Sequence, residues 1–260
     1  MTNEEKYRYI FENTSFEGRP RVKWITDCLL GDIRTFLDSI ENYTDNKEKF
    51  AFKPLPRGGG NLSTPILIST ALEFVSRLYI GETKFRSSEG YNAKENTKKF
   101  IEKFFPEKYK EIPQLLWDGI RNGLVHTFSP KPFKYQNNSI RFQFYVEDRN
   151  IPSHIKKAKD TIVISINVFE LYKILENAIK DYLDELKNNE DDLQDNFIKA
   201  WSSIEEDFRR EITENSEYRN DAKALLAYLG SSSGALLLED LNKVINIDVL
   251  RIYTPKIRRS

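Results

Sequence analysis

The stretch LLWDGIRNGLVHTFSP, Leu115 to Pro130, decides how the rest of the chain is read. It closes a helical pattern running from Ile112 to about His126. Inside it Arg121 and His126 frame the spacing R-x4-H, with Asn122 directly after the arginine. His126 is one of only two histidines in the chain. On an ideal α-helix five residues turn about 500°, which points Arg121 and His126 roughly 140° apart. Asn122 and His126, four apart, share a face. Arginine and histidine therefore converge only if the helix distorts near Gly123 or if two copies of the chain face each other.

Upstream, Ser63 or Thr64 caps a second helix and Pro65 suits its first turn. It runs ILISTALEFVSRLYIG and stops at Gly81. This helix is apolar almost all round, which predicts a central, buried position. Glu73 breaks the pattern, and a carboxylate there needs a partner. Two readings stand: it orients or neutralises Arg121, or it pairs with Arg77 four residues on. Further upstream, Val22, Ile25, Cys28, Leu29, Ile33, Phe36, Leu37 and Ile40 form a helical stripe. Residues 1–21 read as a polar arm with one short helical turn, 84–96 as a loop, and 97–105 as a helix. The glycines of PRGGGNLSTP lack a phosphate-loop pattern and read as a loop before a helix.

Downstream the period changes from helical to alternating. KPFKYQ and SIRFQFYVE predict two strands around an Asn-Asn turn, and TIVISI predicts a third over Thr161–Ile166. The segment IPSHIKKAKD, with His154, Lys156, Lys157 and Lys159, reads as a solvated polar loop, with a basic segment that helps hold RNA as the other reading. Asn167 with Glu170 three residues on predicts a capped helix. Beyond NNEDD, helical patterns recur over 190–214 and 217–229, GSSSG interrupts them, and a basic tail RIYTPKIRRS follows. The expected fold is mainly α: a helical bundle over 22–189 with a small antiparallel β insertion at about 132–166, then a helical C-terminal extension over 190–260.

Composition narrows the function classes. Hydrophobic residues make up 39% of 260 residues, enough for a packed interior. Lys and Arg number 40 and Asp and Glu 40, so no global field draws the protein to nucleic acid; binding there needs a local basic patch. Cys28 stands alone, which excludes a disulfide framework, and no His, Cys or acidic cluster suggests a metal site. The absence of an apolar run long enough for a membrane span or a signal core predicts a cytoplasmic protein with no membrane association.

Arg121-Asn122-Gly-Leu-Val-His126, in the setting I-R-N-G-L-V-H-T-F, resembles the signature of the HEPN superfamily, the helical higher-eukaryote and prokaryote nucleotide-binding domains. That signature is R-x4–6-H with a polar residue after the arginine. The resemblance covers residues 20–187, although its specific part is about ten residues. The strands at 132–166 depart from the minimal family bundle, and the region after 190 has no counterpart in it.

The resemblance implies a metal-independent endoribonuclease without a cofactor, working as a homodimer whose two motifs line one cleft. It places His126 as the base at a ribose 2′-hydroxyl, Arg121 at the scissile phosphate, and Asn122 as the orienting residue. Imidazole and guanidinium suit these tasks. Attack by the 2′-hydroxyl leaves a 2′,3′-cyclic phosphate and makes the reaction specific for RNA. Glu73 supports Arg121 in this reading, and Ser129, Lys131 and Lys134 extend the phosphate-binding surface. The family setting suggests a toxin or phage-defence effector with an antitoxin or defence-complex partner. The rival is a non-catalytic module that binds RNA or nucleotide, or acts as a scaffold. Against both stands a purely structural reading, with His126 favouring the helix dipole and Arg121 paired to Asp118.

Overall fold

Thr2 starts the first helix. Its hydroxyl accepts the Glu5 N–H while the Glu5 carboxylate accepts the Thr2 N–H, a reciprocal capping box. In the computed structural model this helix, α1 (Asn3–Tyr7), continues as a π turn over Arg8–Glu12. The structure describes the whole chain except residues 16–17, 46–61, 86, 128, 146–151, 189–190, 210–226 and 228–260. The glycine triplet, the 217–229 pattern (Ala227 apart), the GSSSG break and the basic tail therefore lie outside the described residues.

The expected polar arm is instead part of the core. Ile10 is fully buried. Arg21 opens α2 (Arg21–Lys23) and ties the segment down, donating to the carbonyls of Tyr9 and Asn13 and to Glu205 Oε1 at 2.7 Å. Its guanidinium also stacks on the Tyr9 ring, 3.6 Å from the centroid. Tyr9 and Phe11 pack against the core beside Ile10, and a buried cation adds to their hold.

A π segment over Trp24–Leu29 leads into α3 (Leu30–Asp45); Ile25, Ile33 and Leu37 of the expected stripe are buried, and so is Leu30 outside it. The Ile40 side chain lies outside the described residues. The central helix α4 (Ser63–Ile80) buries Ile68, Ala71, Val75 and Leu78. Leu62, not Ser63 or Thr64, stands at its cap position. It ends at Gly81, where φ is 75° and a Cβ would meet Asn196 Oδ1 at 2.6 Å. Glycine is needed there twice over, for the left-handed turn and for the close approach.

Helix α5 (Ala93–Phe104) begins earlier than expected, because Asn92 caps it by accepting the Glu95 N–H. Short helices α6 (Glu107–Lys110) and α7 (Pro113–Leu115) follow. The quoted stretch is then a π-helix over Leu116–Asn122 that reverts to α8 (Gly123–Thr127).

The sheet has four strands in the order β1-β2-β4-β3: β1 (Phe133–Tyr135), β2 (Asn138–Tyr145), β3 (His154–Ala158) and β4 (Thr161–Asn167). It is mixed rather than antiparallel, since β2 and β4 run parallel with Arg141 opposite Val163. The expected polar loop at His154 is the edge strand β3, antiparallel to β4. Its exposed lysines hide a strand from a hydrophobicity reading, as edge strands commonly do. The first hairpin turns at Gln136 and Asn137, one residue before the expected Asn-Asn pair, with Gln136 at φ 52°.

Helix α9 (Val168–Asn188) starts at Asn167, whose Oδ1 accepts the Phe169 and Glu170 N–H groups. Helix α10 (Asp191–Arg209) buries Phe197, Ala200 and Trp201. The Trp201 ring lies 5.8 Å from that of Trp24 and 5.9 Å from that of Phe74, both edge-on. The chain divides by contacts into Met1–Glu206 and Asp207–Ser260, so most of α10 belongs to the first unit and not to an extension starting at 190. Among the described residues no helix is long and apolar enough to cross a membrane.

Candidate functional site

The motif straddles a change of helix type: Arg121 stands at the end of the π segment and His126 in the α-helical turn that follows. Arg121 Nη1 lies 3.4 Å from His126 Nε2 within one chain. Arginine is always a donor, so the contact requires Nε2 as acceptor and the proton on Nδ1. At that length it is a weak hydrogen bond and chiefly a statement of position. The pair thus meets within one chain, without a second copy. The distortion lies over the seven residues up to Asn122 rather than at Gly123 itself.

Glu73 fixes the guanidinium. From α4 its Oε2 accepts both Arg121 Nε, at 3.0 Å, and Nη2, at 2.8 Å. The pair is mostly buried, with side-chain exposures of 23% for Arg121 and 19% for Glu73. Nη1 remains turned towards His126 and Asn122, whose Oδ1 accepts from it at 3.3 Å. The Trp117 ring lies under the guanidinium, 4.9 Å away. Arg77 turns elsewhere: its Nε donates to the Glu82 carbonyl and its guanidinium covers the Phe85 ring.

Three further residues complete the frame; of these the sequence pointed only to Asp118, and to it as a partner of Arg121. Tyr91 donates its hydroxyl to Glu73 Oε1 at 2.9 Å. Burial, and then the Glu73 carboxylate beside it, push the Tyr91 phenol well above its ordinary value, so it stays a donor. On the other side Asn122 Nδ2 donates to Asp118 Oδ1 at 3.2 Å, and Lys94 Nζ donates to Asp118 Oδ2 at 3.0 Å. Asp118 thus holds Asn122 rather than Arg121.

Glycines position the chain that follows. A Cβ on Gly123 would meet Ser129 O at 2.5 Å and Lys131 N at 2.6 Å, both backbone atoms. One on Gly119 would strike the Phe142 and Phe133 rings at 2.3 and 2.7 Å. Lys131 N also donates to the Gly119 carbonyl at 3.0 Å. The segment after the motif folds back over two glycines one turn apart, which seats β1 against the motif helix. Lys131 and Lys134 are exposed, and the Lys131 backbone, not its side chain, touches the motif helix.

His126 is exposed while Leu124 beside it is fully buried. The arrangement is an exposed imidazole beside a guanidinium clamped from behind by a carboxylate. It can accept a proton and donate hydrogen bonds to an anion in one place. Among the described residues no three His, Cys, Asp or Glu side chains gather as a metal cage requires. Comparison with known proteins finds no matching family model, no matching curated protein and no matching solved structure.

Proposed function

We propose that this protein is a HEPN-type, metal-independent endoribonuclease that cleaves RNA through the ribose 2′-hydroxyl. The observation that carries the reading is the approach of Arg121 Nη1 to His126 Nε2, with the rest of the guanidinium held by Glu73. Unprotonated His126 Nε2 takes the proton from the 2′-hydroxyl as that oxygen bonds to phosphorus. Arg121 Nη1 donates to a non-bridging phosphate oxygen where charge accumulates. The bond to the 5′-oxygen breaks, and that oxygen takes a proton from solvent. The products are a 2′,3′-cyclic phosphate and a 5′-hydroxyl.

The clamp supports this assignment of roles. A guanidinium with two donors committed to Glu73 loses little further freedom on meeting phosphate, which is preorganisation rather than affinity. Asn122, held by Asp118, keeps the Arg121 fork from rotating. Two copies arranged as a homodimer would place two such pairs along one cleft. A role as a toxin or antiviral defence effector, with an antitoxin or defence-complex partner, fits such an activity.

A second reading has an observation in its favour. Glu73 engages Nε and Nη2 of Arg121 and leaves Nη1 to an anion, an arrangement that also suits holding a phosphate of RNA or nucleotide without cleavage. His126→Ala separates the two, because binding survives that change and cleavage does not.

A further inference from the structure

The sheet carries a local excess of positive charge. Its four strands, FKY, NSIRFQFY, HIKKA and TIVISIN, contain Lys134, Arg141, Lys156 and Lys157 and no acidic residue. The whole protein carries 40 basic and 40 acidic residues, so this is a local excess.

The register sorts these residues by face. Alternation turns Phe142, Phe144 and Ile166 to the core, where all are buried. The opposite face takes Lys134 beside Ser139, then Arg141, Val163 and Lys156 in one cross-strand row, then Gln143, Ser165 and His154 in the next. Lys134, Arg141, Gln143 and Lys156 are exposed. Tyr145 falls on the same face, and its ring centroid lies 6.1 Å from that of His154. Both rings are anchored from below, since Tyr145 Oη donates to the Pro152 carbonyl at 2.8 Å and His154 Nδ1 lies 3.0 Å from the same oxygen.

We infer that this face of the sheet, through Lys134, Arg141 and Lys156 with the Tyr145–His154 rings at its end, is a single-stranded RNA-binding surface. The inference rests on the ribonuclease reading above. Cations in rows across a strand-polar surface suit a phosphate backbone. Adjacent rings offer a platform on which an unpaired base stacks, which a duplex does not present. The motif helix packs on the opposite face of the sheet, where Gly119 lies against the Phe133 and Phe142 rings. Lys131 N is bonded to the Gly119 carbonyl of the motif helix, and Lys134 follows three residues later, so β1 is the edge at which helix and basic face adjoin.

The test uses the full chain carrying His126→Ala, so that RNA survives, and a fluorescein-labelled oligouridylate of about 20 nucleotides. Anisotropy is read in EDTA across a salt series, with cleavage by the otherwise wild-type chain run in parallel. Arg141→Ala with Lys156→Ala is expected to weaken binding roughly ten-fold and to lower the salt slope by about two. Removing two cations from helix α9, Lys180→Ala with Lys187→Ala, serves as the charge-matched control and is expected to change affinity less than two-fold. The exposed single reversal Lys156→Glu repeats the measurement should the double variant lose its circular dichroism spectrum. Affinity unchanged in the sheet variants, with wild-type cleavage intact, overturns the surface and leaves the nuclease standing. An equal loss in the α9 control also overturns it, since net charge alone would then explain the effect. Polyglutamate binding as tightly as RNA, with the same dependence on Arg141 and Lys156, reassigns the face to an acidic protein partner. A parent chain that neither binds nor cleaves RNA overturns both proposals.

Discussion

Arg121 and His126 are five residues apart in sequence and their side chains meet at 3.4 Å, across the junction where a π-helix ending at Asn122 passes into an α-helix. Glu73 from a neighbouring helix sets the angle of the guanidinium. The catalytic proposal depends on that angle.

Glu73 is therefore the sharpest positioning test. Glu73→Gln keeps the shape and removes the charge that holds Nε and Nη2. RNA cleavage should fall roughly 10- to 100-fold through loss of guanidinium orientation. Thermal stability should fall by about 1–2 kcal/mol, because a mostly buried arginine loses its counter-ion. Single-turnover rates beside a thermal melt separate the two effects. An unchanged rate would remove Glu73 from the account.

Gly123 is needed for space rather than for a left-handed turn. Gly123→Ala drives a methyl group into the backbone at Ser129 and Lys131, which cannot step aside as a side chain would. A loss of about 2 kcal/mol is expected, measured by urea denaturation. A neutral result would mean that the returning segment does not rest on the motif helix.

Much of the helical framework was legible, and the reasons for the misses are physical. Periodicity located α4 and α9 because their apolar stripes are long. The π character of Leu116–Asn122 has no hydrophobic signature, since Leu116, Trp117 and Ile120 fit an α pattern equally well. Strand β3 was missed because an exposed edge strand shows no apolar alternation. The N-terminal segment was misread because its hold on the core is the short run Tyr9–Phe11 with a buried ion pair, and not a long hydrophobic run. Of the site, Arg121, Asn122, His126 and Glu73 were chosen from sequence and meet in the structure. Tyr91 and Lys94 were not, because their role arises from packing between α4, α5 and the motif helix.

That ion pair gives its own prediction. Arg21 and Glu205 have side-chain exposures of 5% and 10%, and Trp201 Nε1 shares the same carboxylate oxygen at 3.0 Å. Arg21→Ala leaves a buried carboxylate unpaired and should cost about 3–5 kcal/mol. Arg21→Ala with Glu205→Leu should recover a good part of that loss. Equilibrium unfolding of the single and double variants checks both values, and a harmless single change would return residues 1–21 to the status of an arm.

Acid should weaken the junction between sheet and helices. Burial raises the Glu170 pKa, but hydrogen bonds from Lys108 Nζ and the Ser153 N–H outweigh it, and the net value is lowered. A carboxylate with a depressed folded pKa contributes stability above its unfolded pKa and loses it as pH falls through the folded one. Wild type should therefore lose stability below the ordinary glutamate range, and Glu170→Gln should flatten that acid limb. Melting temperatures from pH 7 down to pH 3, with about the same ionic strength throughout, supply the comparison.

The central claim is that His126 and Arg121 cut RNA, and product analysis tests it most directly. Purified wild type, His126→Ala and Arg121→Ala are incubated with mixed RNA in excess EDTA, and the new ends are identified. The account predicts cleavage by wild type alone, leaving 2′,3′-cyclic phosphate and 5′-hydroxyl ends. Equal cleavage by His126→Ala, or none by folded wild type on any RNA, would contradict it.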